Sequence, residues 1–473
     1  VAGAAAAVFA PSVGREFVWD DAIVLERQLP FFDSASSVFF PPPGIPQFGA
    51  HYYRPVDVLS YLVDEKIAGA FWPTAGHERA RRVVFHASPV IGHVLCAELV
   101  FAVGLALLGA AGTVDRAGVL AAGAAALVFA VHPIHVESVA WIAGRSDVLC
   151  GVFFLAALVA LIGFLGRRAW WMLAASLALA FAALLAKETA MGFLLLVPLV
   201  GWLVPPARPG ATGGAPRRRS GRGPGRAGPA APAARAAGGG LGWAGWFGFA
   251  GVAALYLLMR QAAIHSVSSP AVNGLPDPGA LPGAIGWYIV KTIWPPPQSA
   301  FVGAAPGGAV AVLGATASFA FAVALVACGR RRIGVPELIA AALFFASLAS
   351  SLAVSLFPIA KSPLAERYLY LPTAGACLLV LFLVRRAAVR LTALPEAWRP
   401  FVAPALGLAL VLPAAAATVG RERTWGSNLE FWTDAVAKAP ENPVPHLQLG
   451  IAYRDLGRNG DAVREFQLAL SLD

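Results

Sequence analysis

Repeated apolar runs, most of them close to the length of a membrane span, constrain this chain more than any other feature. About twenty apolar residues in a helix cross a bilayer, and 58% hydrophobic against 13% charged residues lies outside the range of soluble domains. The pattern predicts an all-α polytopic membrane protein with about eleven transmembrane helices. The runs cover, approximately, residues 1–13, 83–109, 117–131, 148–165, 169–185, 190–204, 241–259, 308–328, 335–357, 371–384 and 400–418.

One of these runs and one further segment qualify that count. Residues 1–13 are expected to be the remnant of a first span clipped at its start, since no signal-peptide cleavage site is evident. Residues 284–294 are too short to cross and predict a half-inserted or interfacial helix. Between the first two spans, residues 14–82 form a polar segment too long for a hairpin, so they predict a large outer loop that folds on the membrane surface.

The net charge of +10 follows membrane topology and does not indicate nucleic-acid binding. Basic clusters mark cytoplasmic connections, and one orientation places all five of them there while Asp20 lies outside. The same orientation puts the 132–147 loop, Lys187-Glu188, 260–307 and 361–367 outside. The basic clusters are Arg116, Arg167-Arg168, 205–240, 330–332 and Arg385-Arg386-Arg390.

Composition separates two other regions from the spans. Residues 205–240 are almost entirely Gly, Pro, Ala and Arg, which predicts a disordered cytoplasmic linker whose arginines can touch anionic lipid heads. The four cysteines show no CxxC spacing and offer no disulfide or metal framework. The predicted transmembrane domain therefore covers 1–420, with the loop at 14–82 and the linker at 205–240.

Residues 425–473 turn soluble and predict the start of a tetratricopeptide α-solenoid, truncated inside an array because one repeat is unstable by itself. Its pattern of small and large residues lets two helices pack as a hairpin. The matching positions are His446, which replaces the usual aromatic residue, Leu449, Gly450, Tyr453, Ala462, Phe466 and Ala469.

Polar residues gather where spans end on the predicted outer side, and lipid-facing segments do not carry such groups for packing alone. A carboxylate there can act as a general base, and cations can bind an anionic ligand. The candidate site residues are Asp20, Asp21, Arg54, His132, His135, Glu137, Arg145, Asp147, Lys187, Glu188, Lys361 and Arg367.

Each of these candidates has alternatives that the residues leave open. Asp20 and Asp21 can be a base and its helper or a helix cap. His132, His135 and Glu137 can bind a divalent metal ion, or the histidines can donate to a phosphate or a sugar. Arg145 with Asp147, and Lys187 with Glu188, suit either an ion pair or substrate binding. His86 and His93 favour packing or interhelical hydrogen bonds over a place in the site.

Together the motifs WDD, YYRP, HPIHVESVAWIAGRSD, LAKETA and ERYLYLP, followed by the repeats, resemble the transmembrane and tetratricopeptide-repeat O-mannosyltransferases. These are polytopic glycosyltransferases of the GT-C fold. The resemblance implies transfer of a sugar, mannose in the family, from a polyprenyl- or dolichyl-phosphate donor to a Ser or Thr hydroxyl of a protein. It also implies that Asp20, which matches the first acid of the family's pair, deprotonates the acceptor, and that Asp21 matches the second.

The resemblance also sets expectations for partners and location. The expected partners are the lipid-linked sugar, membrane lipids and an acceptor protein bound by the repeats; no other cofactor is required, and a divalent metal ion is left open. The bias towards Ala, Gly, Pro and Arg favours a bacterial inner membrane with a periplasmic site and an undecaprenyl-type carrier. In a eukaryote the site would face the endoplasmic reticulum lumen.

Two other classes of protein compete with a glycosyltransferase. A transporter or flippase of lipid-linked saccharides would carry ionisable groups near the bilayer midplane, whereas here they lie at span ends. A membrane-anchored tetratricopeptide scaffold would need only one span, and this chain predicts about eleven.

Overall fold

A computed structural model describes residues 1–41, 52–72, 76–204, 240–264, 277–302, 305–328, 334–357 and 364–472. Within these residues there is no β-strand, only one antiparallel bridge between Val302 and Leu364, so the predicted all-α class is confirmed. The α-helices are α1 (Ala2–Phe9), α2 (Ala35–Phe39), α3 (Pro55–Phe71), α4 (His77–Ala110), α5 (Arg116–Ala130), α6 (Val136–Ala140), α7 (Arg145–Arg167), α8 (Trp170–Ala186), α9 (Gly192–Leu203), α10 (Gly242–Ile264), α11 (Ala280–Ile293), α12 (Gly308–Cys328), α13 (Val335–Leu356), α14 (Tyr370–Ala388), α15 (Val402–Glu422), α16 (Asn428–Lys438), α17 (Pro443–Asp455) and α18 (Asn459–Leu472).

Every apolar run predicted as a span forms a helix, but not every helix has spanning length. In the described part of the chain, seven helices are long and apolar enough to cross a membrane, or eight if the bent pair Arg116–Ala130 and Pro133–Ala140 is one span. Three shorter apolar helices make up the rest of the predicted eleven: Ala2–Ser12, Trp170–Ala186 and Glu188–Leu203. At 1.5 Å per residue, the 17 residues of α8 extend about 25 Å, less than the roughly 30 Å of hydrocarbon.

Some sequence predictions fall outside the described residues. They include nearly all of the linker at 205–240, the basic cluster at 330–332, Lys361, and residues 42–51 and 73–75 of the first outer loop. The described parts of that loop contain a π-helical turn at Ile23–Gln28 and the helices α2 and α3. The predicted interfacial helix corresponds to α11.

The bundle is built around α4, which packs on α5 and α7, and around α14, which packs mainly on α5 and also contacts α4 and α7. The helix α8 packs on α7, α13 packs on α14 and α9, and α15 packs on α5. Between α9 and α13 the backbones approach very closely, since a Cβ on Gly192 would lie 2.1 Å from the carbonyl oxygen of Ala346. Only glycine fits there, and the contact fixes the turn that precedes α9.

Charged groups separate to the two ends of this bundle. At one end, called the site end below, the connections 13–22, 132–145, 187–191 and 364–369 meet: Asp21 bonds to Ala143, and Arg367 bonds to Glu137. At the other end, called the basic end, Arg385 pairs with Asp115 and Arg168 donates to the carbonyl of Gly240. The topology thus brings the candidate residues to one end, opposite the described basic clusters.

Beyond α15 the chain forms three further helices at the site end. The helices α17 and α18 pack as a hairpin in which a Cβ on Gly450 would lie 2.5 Å from the ring of Phe466. His446 is buried and its two ring nitrogens lie 2.7 Å from the Glu465 carboxylate and 3.0 Å from the carbonyl of Pro440. A tetratricopeptide solenoid stays a prediction for this region.

We expect Gly192→Ala to lower the thermal unfolding temperature of the detergent-solubilised protein, because the added Cβ collides with backbone that has no free space to move into. The matched control is Gly251→Ala in α10, where a Cβ meets nothing within 4 Å. That control should leave the unfolding temperature unchanged or raise it slightly, since alanine favours helix over glycine by about 1 kcal/mol. Equal unfolding temperatures for the two variants would contradict the close approach of α9 and α13.

Candidate active site

Trp19, Asp20 and Asp21 form a tight turn whose backbone is held from two sides. Trp19 has φ of 59°, a left-handed conformation that costs a residue other than glycine about 1–2 kcal/mol. The buried carboxylate of Asp21 accepts hydrogen bonds from the backbone N–H of Val18 at 3.0 Å and of Ala143 at 2.9 Å. Asp21 therefore ties the turn to the 132–145 connection, which makes it a structural anchor.

The two neighbouring acids differ in their surroundings. Asp20 is partly exposed, and within the described residues no hydrogen bond reaches its carboxylate. Burial raises the pKa of Asp20 above its ordinary value, and the nearby Arg367 guanidinium partly opposes the rise. Burial raises the pKa of Asp21 to about 7, against the two backbone hydrogen bonds that favour its ionised form. Asp20 is the acid that a ligand can reach.

Arg367 lies near enough to Asp20 to influence its charge and is fixed by Glu137. Its Nη1 lies 2.6 Å from Glu137 Oε1, and its backbone N–H donates to Oε2 at 3.2 Å. The guanidinium also lies over the rings of Trp141 and Tyr368, at 5.7 and 5.1 Å from their centroids. With 23% of its side chain exposed, Arg367 combines a fixed position with an accessible charge.

Lys187 and Asp147 form a buried ion pair. Lys187 Nζ lies 2.7 Å from Asp147 Oδ1, and the two side chains are 4% and 7% exposed. The other carboxylate oxygen, Oδ2, has no hydrogen-bond partner among the described residues. Lys187 sits in extended backbone just before the 3-10 turn Glu188–Met191, so the pair joins that turn to the first turn of α7.

Arg145 is anchored in the interior and pairs with Asp64. Its Nη1 lies 2.5 Å from Asp64 Oδ2, its Nη2 donates to the carbonyl of Phe85 at 2.6 Å, and its guanidinium stacks over Tyr61. Only 1% of the Arg145 side chain is exposed. The ion pair considered from sequence, between Arg145 and Asp147, is therefore not formed, because helix rotation points Arg145 towards α3 while Asp147 meets Lys187.

Arg54 joins the first outer loop to the 187–191 turn. Its Nε donates to Glu188 Oε2 at 2.9 Å and its Nη2 to Glu188 Oε1, so the pair is bidentate. Arg54 is 13% exposed and Glu188 35%. Lys187 and Glu188, which the sequence suggested as a pair, thus bond to different partners.

Sequence reasoning missed Asp57, a buried carboxylate of the cluster. It is 2% exposed, and its Oδ1 has no hydrogen-bond partner in the described chain. Burial raises its pKa to about 7; Arg54, Arg145 and Lys187 oppose the rise and Asp147 adds to it. The available signal was a stripe on α3, where Asp57, Tyr61 and Asp64 recur at helical spacing and are all buried.

The two histidines of the 132–145 connection lie apart from these ion pairs. His132 Nε2 lies 3.0 Å from the carbonyl of Thr292, and its Nδ1 accepts from the backbone N–H of Ile134. His135 is fully buried among rings, with centroids 4.3 Å from Phe129 and 4.9 Å from Tyr370. The structure does not bring His135 to the cluster that holds Arg367 and Lys187.

The histidines of α4 make the interhelical and packing contacts favoured from sequence. His93 lies 2.9 Å from the Tyr370 hydroxyl and 3.1 Å from the carbonyl of Ala130, which links α4 to α14 and α5. His86 bonds to the carbonyl of Arg82 and stacks on Phe17. No group of three or more His, Cys, Asp or Glu in the described ranges is arranged to hold a metal ion, and Lys361 lies outside them.

Comparison with known proteins finds no matching family model and no matching solved structure. The chain is similar to Protein O-mannosyl-transferase Tmtc1 of Drosophila melanogaster, with 38% identity over 161 residues, 34% of this chain and 17% of that protein. It is 34% identical to Protein O-mannosyl-transferase TMTC4 of Homo sapiens over 167 residues, 33% of this chain and 21% of the relative. Against Protein O-mannosyl-transferase TMTC1 of Homo sapiens the identity is 27% over 520 aligned positions, 100% of this chain and 54% of the relative. The chain thus spans about half or less of the relatives that it matches.

We expect Asp57→Asn to change how stability depends on pH. Because burial raises the folded-state pKa of Asp57 to about 7 from 3.8, the folded protein binds more protons than the unfolded chain between those values, and stability falls as pH rises through them. Asparagine avoids the buried charge. The unfolding temperature of Asp57→Asn minus that of the wild type should therefore increase from pH 5 to pH 8, measured by thermal unfolding in detergent.

The control for this measurement is Glu396→Gln, a side chain that is 91% exposed. It should shift the unfolding temperature equally at both pH values. A difference for Asp57→Asn that stays constant or falls with pH would show that Asp57 is ionised in the folded protein throughout this range.

Proposed function

Because this chain is similar to several proteins named protein O-mannosyl-transferase, we propose that it belongs to the transmembrane and tetratricopeptide-repeat O-mannosyltransferases and moves a sugar from a lipid-linked donor to a hydroxyl group. The donor would be a polyprenyl- or dolichyl-phosphate sugar, with mannose as the sugar, and the acceptor a Ser or Thr of a protein. The observation that carries the proposal lies at the site end, where an open carboxylate, Asp20, is close enough to a fixed and accessible cation, Arg367, to feel its charge.

Asp20 is the proposed general base. A hydroxyl nucleophile needs a carboxylate within hydrogen-bond reach, and Asp20 is partly exposed with no described hydrogen bond to its oxygens. Its raised pKa makes its carboxylate a better proton acceptor than that of an ordinary surface aspartate. The positive charge of Arg367 limits this rise in pKa and so favours the ionised form, which is the one that accepts the proton. Both carboxylate oxygens of Asp21 accept hydrogen bonds from backbone N–H groups, and the proposed role of Asp21 is to hold the turn.

The cations of the cluster divide by exposure into two groups. Arg367 and Arg54 are 23% and 13% exposed, and we assign them to the donor phosphate, where guanidinium groups can form paired hydrogen bonds. Lys187 and Arg145 are 4% and 1% exposed and already paired with buried carboxylates. Their proposed task is to hold the segments that carry the exposed cations.

In the proposed reaction the acceptor oxygen attacks the anomeric carbon on the face opposite the phosphate. The bond between that carbon and the phosphate oxygen breaks, and its electron pair leaves with the phosphate, whose charge Arg367 stabilises. The hydroxyl proton passes to Asp20. Attack from the opposite face inverts the anomeric centre, and the balance requires no further reactant.

The distribution of charge supports an outer location for this site. Arg116, Arg168, Arg385 and Arg386 lie at the basic end, and basic connections face the cytoplasm. The site end would then lie on the outer, periplasmic or luminal, face, together with α16, α17 and α18. This places the helices that follow α15 beside the site, where the proposal has them bind the acceptor protein.

We expect Asp20→Asn to reduce transfer by roughly 10²–10⁴-fold, because the amide cannot accept the hydroxyl proton, with an unfolding temperature close to that of the wild type. The measurement is transfer of radiolabelled mannose from a short polyprenyl-phosphate donor to an acceptor in membranes that contain the enzyme. The matched variant Asp21→Asn should lose stability, because its single amide oxygen can accept only one of the two backbone hydrogen bonds and its NH2 group faces the other N–H donor. Full activity in Asp20→Asn would remove Asp20 as the base.

We expect cysteines placed at the two ends to label from opposite sides of the membrane. Ser36→Cys at the site end and Glu396→Cys at the basic end are both exposed, while Cys96, Cys150 and Cys377 are buried. In a Cys328→Ser background, a membrane-impermeant maleimide added to intact spheroplasts should label Ser36→Cys but not Glu396→Cys. The reverse result would place the site end in the cytoplasm and contradict the proposed location.

A further inference from the structure

The ring of Trp19 contacts four aromatic rings from three separate parts of the chain. It stacks on Trp141 with centroids 4.8 Å apart and planes 13° apart, and on Phe431 at 5.4 Å and 26°. Phe301 lies at 5.5 Å and Trp432 at 5.9 Å, the latter edge-on. Two of these rings, Phe431 and Trp432, belong to α16, which lies beyond the last apolar helix.

The backbone of Trp19 is held by the same helix. Asn428, the first residue of α16, accepts a hydrogen bond from the Trp19 N–H through Oδ1 at 2.9 Å. Its Nδ2 donates to the carbonyl of Phe17 at 3.4 Å. The Asn428 amide thus hydrogen-bonds to the backbone of both Phe17 and Trp19, the residues on either side of Val18.

These contacts meet at the one strained residue of the turn. Trp19 is left-handed with φ of 59°, and a non-glycine residue persists in that conformation only where its surroundings over-determine it. The next residue is Asp20. Since its carboxylate has no described hydrogen bond, its direction depends on the backbone that Trp19 sets.

We propose that α16 is a positioning element of the active site, in which Asn428 is the positioning residue that fixes Trp19 and thereby aims Asp20 at the acceptor hydroxyl. This rests on the proposed function, in which Asp20 is the base. It gives the region after the last span a role beyond acceptor binding. When α16 is not docked, the carboxylate of Asp20 is present but does not point at the acceptor hydroxyl. Binding of the acceptor protein and alignment of Asp20 would then be coupled through α16.

The test uses Asn428→Ala in the full chain, assayed in membranes with a polyprenyl-phosphate mannose donor and an acceptor peptide. Loss of the Trp19 hydrogen bond should lower kcat by roughly 10-fold or more, since small misplacement of a catalytic group is costly, while KM for donor and acceptor stays within about twofold. Asn428→Asp keeps an oxygen for the Trp19 N–H and should recover most of kcat. If Asn428→Ala is not recovered from membranes, Asn428→Ser, whose hydroxyl is too short to reach Trp19, replaces it.

The control is Asp434→Ala, which removes a different link to α16, the ion pair to Arg421 at 2.7 Å, and leaves Trp19 untouched. Under the proposal it changes the unfolding temperature but not kcat. Parallel losses of stability and kcat in both variants, a raised acceptor KM with unchanged kcat, or full activity in Asn428→Ala would each overturn the proposal. Asp20→Asn, assayed in parallel, separates the cases: if it is active, the proposed function itself has failed.

Discussion

Burial of opposite charges at one end of an apolar bundle is the interaction on which the candidate site depends. A charge removed from water is costly unless it is paired and hydrogen-bonded, and each pair here joins segments far apart in the chain. Arg145 with Asp64 connects α7 to α3, and Lys187 with Asp147 connects the 187–191 turn to α7. Removing one partner would leave an uncompensated buried charge, so these pairs specify the register of the segments more than they add stability.

The same cluster contains more carboxylates than cations, and the excess has a defined location. Each cation has one carboxylate as a close partner, which leaves Asp57 with a raised pKa of about 7 and an oxygen without a described hydrogen bond. A site that handles a leaving phosphate needs cations that a ligand can reach. In this cluster partial exposure keeps the guanidinium groups of Arg367 and Arg54 accessible, although Glu137 and Glu188 fix them. Besides Arg367 and Glu137, the cluster consists of Arg54, Arg145, Lys187, Asp57, Asp64, Asp147 and Glu188.

Hydropathy and charge patterns predicted the helices, the end of the bundle where the candidates meet, and the opposite end where Arg116 and Arg385 lie. They did not predict partners. Which carboxylate Arg145 meets depends on the rotation of α7 about its axis and on the packing of α3, neither of which a period of 3.6 residues determines. Asp57 was not among the predicted site residues, and His135 was predicted as one because its neighbours in sequence are polar. Its neighbours in space are Phe129 and Tyr370.

The turn at Trp19 shows why a bulky residue occupies a position that glycine would adopt without cost. Left-handed backbone at a tryptophan costs about 1–2 kcal/mol, and each stacked aromatic pair contributes about 0.5–1.5 kcal/mol beyond burial. The rings of Trp141 and Phe431 that stack on it can therefore offset the strain, whereas glycine would have no ring to stack. The direction of Asp20 is then set by contacts that exist only when the 132–145 connection and α16 are both docked. The orientation of Asp20, the proposed base, therefore depends on the assembled molecule, and the local sequence alone does not determine it.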